Sequence, residues 1–341
     1  GQTFFVNFST YKESLPKVMD LIKEILTEST FPEAELAKTI NEYNTYLESS
    51  LNDPQSIAFS EIERITENYP KESIYYTPST KEQIESYKKV KREQLVDFYN
   101  KILGSNNGVG TIVGDVDPKA ASTLLEGTFA KWNSKSKYEY IKPELFATKK
   151  QDKEYLTPDK ENGAAVGKIS FSMDRKSPDY PAFVIANEML GSGGFLTARI
   201  PTRLREKEGI SYGAGSFVNV PIDNNVASWS WYAFFNPTKK DAVNKALKEE
   251  VNKAVKDGFT EEEFKSNLTS WLNSRKTGLG NDNTLMGLVN SQLQYGQSLD
   301  EYDALEAKVS ALKVSQVNDV LRKYISEDKL TSVFAGDFNK K

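Results

Sequence analysis

Apolar residues recur every three to four positions along most of this chain. The spacing predicts helices at 11–29, 32–49, 53–67, 92–103, 117–132, 239–257, 260–276, 281–295 and 314–325. Start signals support two of them. Asp53-Pro54 reads as a cap followed by proline at the first helical position, and Thr260 with Glu263 reads as a capping box. Short apolar or alternating runs predict strands at 108–114, 151–156, 165–173, 213–220, 226–235 and 330–336. The helices come in consecutive runs, not one after each strand. That order predicts α+β architecture, with a mostly antiparallel sheet covered on one face, in preference to a doubly wound parallel sheet.

The pattern repeats. Gln94–Val116 (QLVDFYNKILGSNNGVGTIVGDV) matches Gln316–Phe338 (QVNDVLRKYISEDKLTSVFAGDF) at an offset of 222 positions. A second match pairs the segment from Lys17 with that from Lys245, at an offset of 228. Two blocks that keep their order and nearly their spacing predict duplicated domains. The polar stretch from Asn133 to Lys153 reads as a linker, which divides the chain into a first domain at 1–145 and a second at 146–341. The second copy begins near Lys150. Carried back by 222 positions, the start of the first copy falls ahead of Gly1, so the first domain is expected to be truncated at its N-terminal side. The opening Gly-Gln-Thr-Phe-Phe carries no initiator Met and no charged-then-apolar leader, and it too reads as the interior of a larger protein.

Composition narrows the function classes. A length of 341 residues suits two domains better than one core, and 38% apolar with 27% charged residues is a globular balance. A net charge of −4 with interspersed signs argues against a nucleic-acid partner. No window is apolar enough to insert into a membrane. The chain has no cysteine and no histidine, which removes disulfides, thiolate nucleophiles and the two commonest zinc ligands.

The run Gly193–Tyr212 (GGFLTARIPTRLREKEGISY) concentrates the candidate chemistry. Gly191-Ser192-Gly193-Gly194 permits a sharp turn or close backbone approach. Thr197 is placed to cap the helix that follows, and Pro201 sits early in it. Ile200, Leu204 and Phe195 form its apolar stripe, which directs Arg199, Arg203 and Arg205 elsewhere. Gly209 reads as a left-handed stop before a strand. Arg205 and Tyr212 then come to one end of a helix–strand pair. A phenol and a guanidinium there suit stabilisation of an oxyanion and grip on a peptide carbonyl. The same residues also fit a solvated helix end followed by a packed strand tyrosine.

Other segments carry less. The GSGG run lacks the spacing and the acidic partner of a dinucleotide site. Asp117 reads as a helix cap in preference to a cation ligand, Trp229 and Trp231 as core, and the loop around Tyr75-Tyr76 as packing.

ARIPTRLREKEGISYG resembles the GGxxSRLxxxLREKEGLxYG run of the pitrilysin/insulinase family of zinc metallopeptidases. FPEAEL at Phe31, Asp53-Pro54, GDVDP at Gly114, the approach to GSGG and AGDF at Ala335 resemble further family landmarks, so the likeness spans almost the whole chain. The resemblance implies two duplicated α+β domains, and it implies that Arg205 and Tyr212 face a zinc site across a clamshell chamber. Gly193, Gly194 and Arg199 are taken as further substrate contacts. The HxxEH run that carries two zinc ligands and a general base in catalytic members is absent, and Tyr46 falls where the third, glutamate ligand would stand. The chain therefore resembles the non-catalytic, C-terminal half, with no cofactor of its own and zinc on an HxxEH-bearing partner half, in the same polypeptide or a separate subunit. Unfolded peptide is the implied substrate. Bacterial relatives of this kind are often periplasmic. The alternative within the family is a catalytically inert structural core subunit.

Overall fold

The computed structural model describes residues 3–193 and 197–339. In chain order the elements are α1 (Leu15–Thr27), α2 (Glu33–Ser50), α3 (Pro54–Thr66), α4 (Thr80–Tyr87), α5 (Arg92–Ile102), α6 (Pro118–Phe129), β1 (Gln151–Leu156), β2 (Gly163–Ser172), α7 (Tyr180–Asn187) and α8 (Arg199–Pro201). There follow β3 (Gly213–Asn219), β4 (Val226–Phe235), α9 (Lys240–Asp257), α10 (Glu261–Gly278), α11 (Asp282–Tyr295), α12 (Leu299–Ser310), α13 (Val314–Tyr324) and β5 (Thr331–Gly336). The nine helices read from periodicity are all present. Asp53 Oδ2 accepts the Ser56 N–H at 2.7 Å, Asp117 Oδ1 accepts that of Ala120 at 2.7 Å, and Thr260 and Glu263 exchange both bonds of a capping box.

Two compact units emerge. One comprises Leu47–Glu82, Lys142–Lys276 and Asp300–Lys341; the other comprises Gly1–Tyr46, Gln83–Ile141 and Thr277–Leu299. They interleave along the chain. One cause is α3, whose Ala58 and Ile62 are buried against Ala164, Val166, Val333 and Ala335 of the sheet in the larger unit.

That larger unit holds a five-stranded sheet of order β1-β5-β2-β4-β3. β2 pairs antiparallel with both β4 and β5, β3 pairs antiparallel with β4, and β1 alone runs parallel to its neighbour, β5. Period-2 alternation sends Ile169, Trp229, Trp231, Phe235 and Phe334 to one face. There they pack with Phe183 and Ile185 of α7, Val243, Leu247 and Val251 of α9, and Val317 and Leu321 of α13. Trp229 and Trp231 are core residues, as their alternation predicts. Gly167 lies opposite Trp231, and a Cβ there would stand 1.9 Å from the indole Nε1, so only glycine fits. The opposite face is not bare, as one-sided covering would have it: α3 lies on it. At the end of α3 the buried Lys168 amine reaches Glu63 and, at 2.8 Å, Glu67. Burial alone would push Lys168 down, but the two carboxylates outweigh it and hold the amine charged, with its pKa raised.

The smaller unit is helical among the described residues. Met19, Ile22 and Leu26 of α1 pack against Leu124, Leu125 and Phe129 of α6 and against Trp132. Arg92 holds the carbonyls of Thr30 and Phe31 at 2.8 and 2.7 Å, which fixes Phe31 at a φ of 49°. The strand expected at 108–114 is absent: these residues follow an irregular path.

Candidate functional site

The segment from α7 to β3 carries the candidate residues. After α7 the helix widens into a π-turn at Glu188–Ser192, where Ser192 Oγ donates to Glu188 Oε1 at 2.7 Å. Burial pushes the Glu188 carboxyl above its ordinary range. Gly191 is pressed against β3, and a Cβ there would come within 2.4 Å of Ser216 Oγ. Gly193 is equally confined: a Cβ would lie 2.7 Å from both Asn267 Oδ1 and the Glu188 carbonyl. Close packing thus accounts for both glycines. Gly194 and Phe195 lie outside the described residues.

Thr197 does not cap the next helix. Its hydroxyl donates back to the Gly193 carbonyl, and Ala198 is the capping residue, with no side-chain bond. The helix starts at Arg199 and passes into a second π-turn, Thr202–Lys207. Ile200 and Leu204 are fully buried, which pins this short element to the core. Arg199 and Arg203 pair with neighbouring carboxylates. Arg199 makes a forked pair with Glu263 at 2.8 and 2.9 Å, donates to the Gly258 carbonyl at 2.8 Å and lies over the Phe259 ring. For Glu263, burial favours the neutral acid, but the Arg199 guanidinium and the Thr260 N–H outweigh it and bring the pKa to about 2. Arg203 pairs with Glu208 and, at 2.9 Å, with Glu249. Arg205 is exposed.

The π-turn ends as the sequence predicts. Gly209 adopts a φ of 60°, and its N–H donates to the Arg205 carbonyl at 3.2 Å. The N–H groups of Ile210 and Ser211 both return to the Leu204 carbonyl. Ser211 is buried; its hydroxyl lies 2.8 Å from the Gly213 carbonyl and 2.9 Å from that of Phe234. The Tyr212 N–H donates to the same Phe234 carbonyl at 2.8 Å, while its ring is 59% exposed. Arg205 and Tyr212 thus sit exposed on either side of one rigid stop. Gly213 and Gly215 face Phe234 and Tyr232 across the β3–β4 ladder. Sequence reasoning did not single out Ser211, Glu188 or Asn267. A lone serine between Ile210 and Tyr212 carries no periodic or motif signal, and neither does one acid or one amide in an apolar stretch.

These residues do not fit a zinc site. The chain has neither His nor Cys, and among the described residues no group of three or more acidic side chains could hold a metal ion.

The Peptidase M16 inactive domain family matches residues 89–270. The chain belongs to this family. It bears out the resemblance to a non-catalytic half and the α+β fold. Among solved structures, the peptidase M16 inactive domain of Pseudomonas fluorescens is similar with a TM-score of 0.80 at 22% identity, over 95% of this chain and 75% of that one. A protease from Helicobacter pylori is similar with a TM-score of 0.81 at 16% identity, over 96% and 78%. A chain of Complex III2 from Candida albicans is similar with a TM-score of 0.73 at 16% identity, over 97% and 79%. At these identities the structural likeness speaks for the M16 fold alone. Comparison with curated proteins found no match. As an M16 inactive domain the chain is a non-catalytic half of this peptidase family.

Proposed function

We propose that this chain closes over an unfolded peptide and supplies Arg205 and Tyr212 to a peptidase site whose metal and general base lie on an HxxEH-bearing partner half. Hydrolysis of a peptide bond builds negative charge on the carbonyl oxygen. The Tyr212 phenol donates a hydrogen bond to that oxygen, and it does so most strongly as the charge develops. The Arg205 guanidinium grips a neighbouring substrate carbonyl through fixed donors, which contributes to binding as well as to turnover. Arg199, clamped by Glu263, serves the frame and not the substrate, and Gly193 sets the close approach of the loop.

One observation carries this reading. Arg205 and Tyr212 are exposed on either side of a turn that the core holds rigid through the buried Ile200, Leu204 and Ser211. The test is reconstitution with the HxxEH-bearing half encoded in the same or an adjacent reading frame. Each half alone should leave an unfolded peptide intact, and the mixture should cleave it. Cleavage by the catalytic half alone at the full rate would refute the proposal. A second reading, an inert core subunit of a larger complex, draws on the likeness to a chain of Candida albicans Complex III2. It predicts no cleavage from the mixture.

A further inference from the structure

Arg203 and Glu208 are joined twice. The Glu208 N–H donates to the Arg203 carbonyl at 3.2 Å, five residues back, and the Arg203 Nε–H donates to the Glu208 carboxylate. These two links close the π-turn Thr202–Lys207, the span that contains Arg205. A π-turn is a rare form, one residue wider than the turn of an α-helix.

Glu208 is not the only carboxylate on the Arg203 guanidinium. Nη2 donates to Glu249 at 2.9 Å, and Nη1 lies 3.7 Å from Glu250, both on α9. Glu250 is buried and also lies 4.0 Å from Arg199 Nε. α9 is itself fixed by Val243, Leu247 and Val251 in the core. Each nitrogen of the Arg203 fork thus faces a different carboxylate. The single ammonium of a lysine could not span that arrangement.

The ends of the segment are held independently. Leu204 is fully buried just before Arg205, and the Tyr212 N–H is held by the Phe234 carbonyl after it. Between these anchors, the width of the turn sets the direction of Arg205 relative to Tyr212. Successive residues of an α-helix are rotated by about 100°. A turn one residue tighter would swing the residues beyond it by about that angle.

We infer that Arg203 is a positioning residue: it holds the wide turn and so sets the direction in which Arg205 meets the peptide, without touching the peptide itself. The inference rests on the role proposed above for Arg205. It assigns the Arg203 contacts with Glu208, Glu249 and Glu250 to the geometry of the site and not to general stability.

A double-mutant cycle on the reconstituted halves tests this. Arg203→Met should lower kcat/KM by about 10-fold or more, because a small misplacement of a substrate-holding group slows turnover strongly. Arg203→Met combined with Arg205→Ala should be no slower than Arg205→Ala alone, since a residue that acts through Arg205 then has nothing left to position. Arg203→Lys should recover part of the loss. Hydrogen exchange by NMR on the 341-residue chain reads the turn without the catalytic half. The Gly209 and Ile210 amides donate to the Arg205 and Leu204 carbonyls. They should exchange about 10-fold faster or more in Arg203→Met, while the β4 amides stay as they are. Glu208→Ala breaks the link across the turn but leaves both arginines beside the buried Glu250, so it gives the same reading where Arg203→Met fails to fold. Losses that multiply in the double variant, or wild-type protection of Gly209 and Ile210 in every folded variant, would overturn the inference. No cleavage by the wild-type mixture would instead overturn the role of Arg205, and exchange would still decide whether Arg203 sets the turn.

Discussion

The backbone N–H of Tyr212 donates to the carbonyl of Phe234 at 2.8 Å, and the buried Ser211 hydroxyl lies 2.9 Å from that same oxygen. One carbonyl at the end of β4 therefore fixes the residue that presents Tyr212 to solvent. Ser211→Ala removes a buried hydroxyl that also bridges to Gly213 and should cost about 1 kcal/mol. Chemical denaturation measures it. An unchanged midpoint would show that the backbone bond alone sets the turn.

Gly167 has no room for a side chain opposite Trp231. Gly167→Ala forces the indole or β2 to shift and should destabilise the larger unit by about 1–3 kcal/mol. The Trp emission spectrum should change with it. A variant with wild-type stability and emission would contradict the packing described here.

The Arg199–Glu263 clamp has a defined pH dependence. The Glu263 carboxyl falls from an ordinary 4.5 to about 2 in the folded chain. A depressed carboxylate pKa stabilises the fold above the unfolded value and loses that contribution as pH falls through the folded one. The clamp should hold fully above about pH 5 and weaken progressively toward pH 2. Glu263→Gln should therefore lower the melting temperature near neutrality and bring the two proteins closer together as pH falls. A difference that stays constant down to pH 2 would mean that the pair contributes nothing electrostatic.

Helix positions were legible in the sequence because each long helix carries its own apolar stripe and, at Asp53, Asp117 and Thr260, its own cap. Strands 151–156 and 226–235 match to the residue. The short α4, α7 and α12 were not legible. α7 is apolar on nearly all sides, so no period marks it, and α4 spans only two turns. The strand read at 108–114 is missing for a different reason: a strand exists only with a partner, and local pattern cannot report whether one is at hand. At the candidate site the Gly209 stop and the burial of Ile200 and Leu204 could be read from spacing. The fates of the three arginines could not. That Arg199 and Arg203 meet carboxylates depends on Glu263 and Glu249, which are remote in sequence and brought close only by the fold.

The most direct measurement of the central claim is steady-state cleavage of an unfolded peptide by the reconstituted halves carrying Tyr212→Phe. Loss of a donor that acts mainly in the transition state should lower kcat by about 100-fold or more and leave KM nearly unchanged, while Arg205→Ala should raise KM as well. Full turnover with Tyr212→Phe would contradict the account and leave Arg205 and Tyr212 as surface residues of an inert subunit.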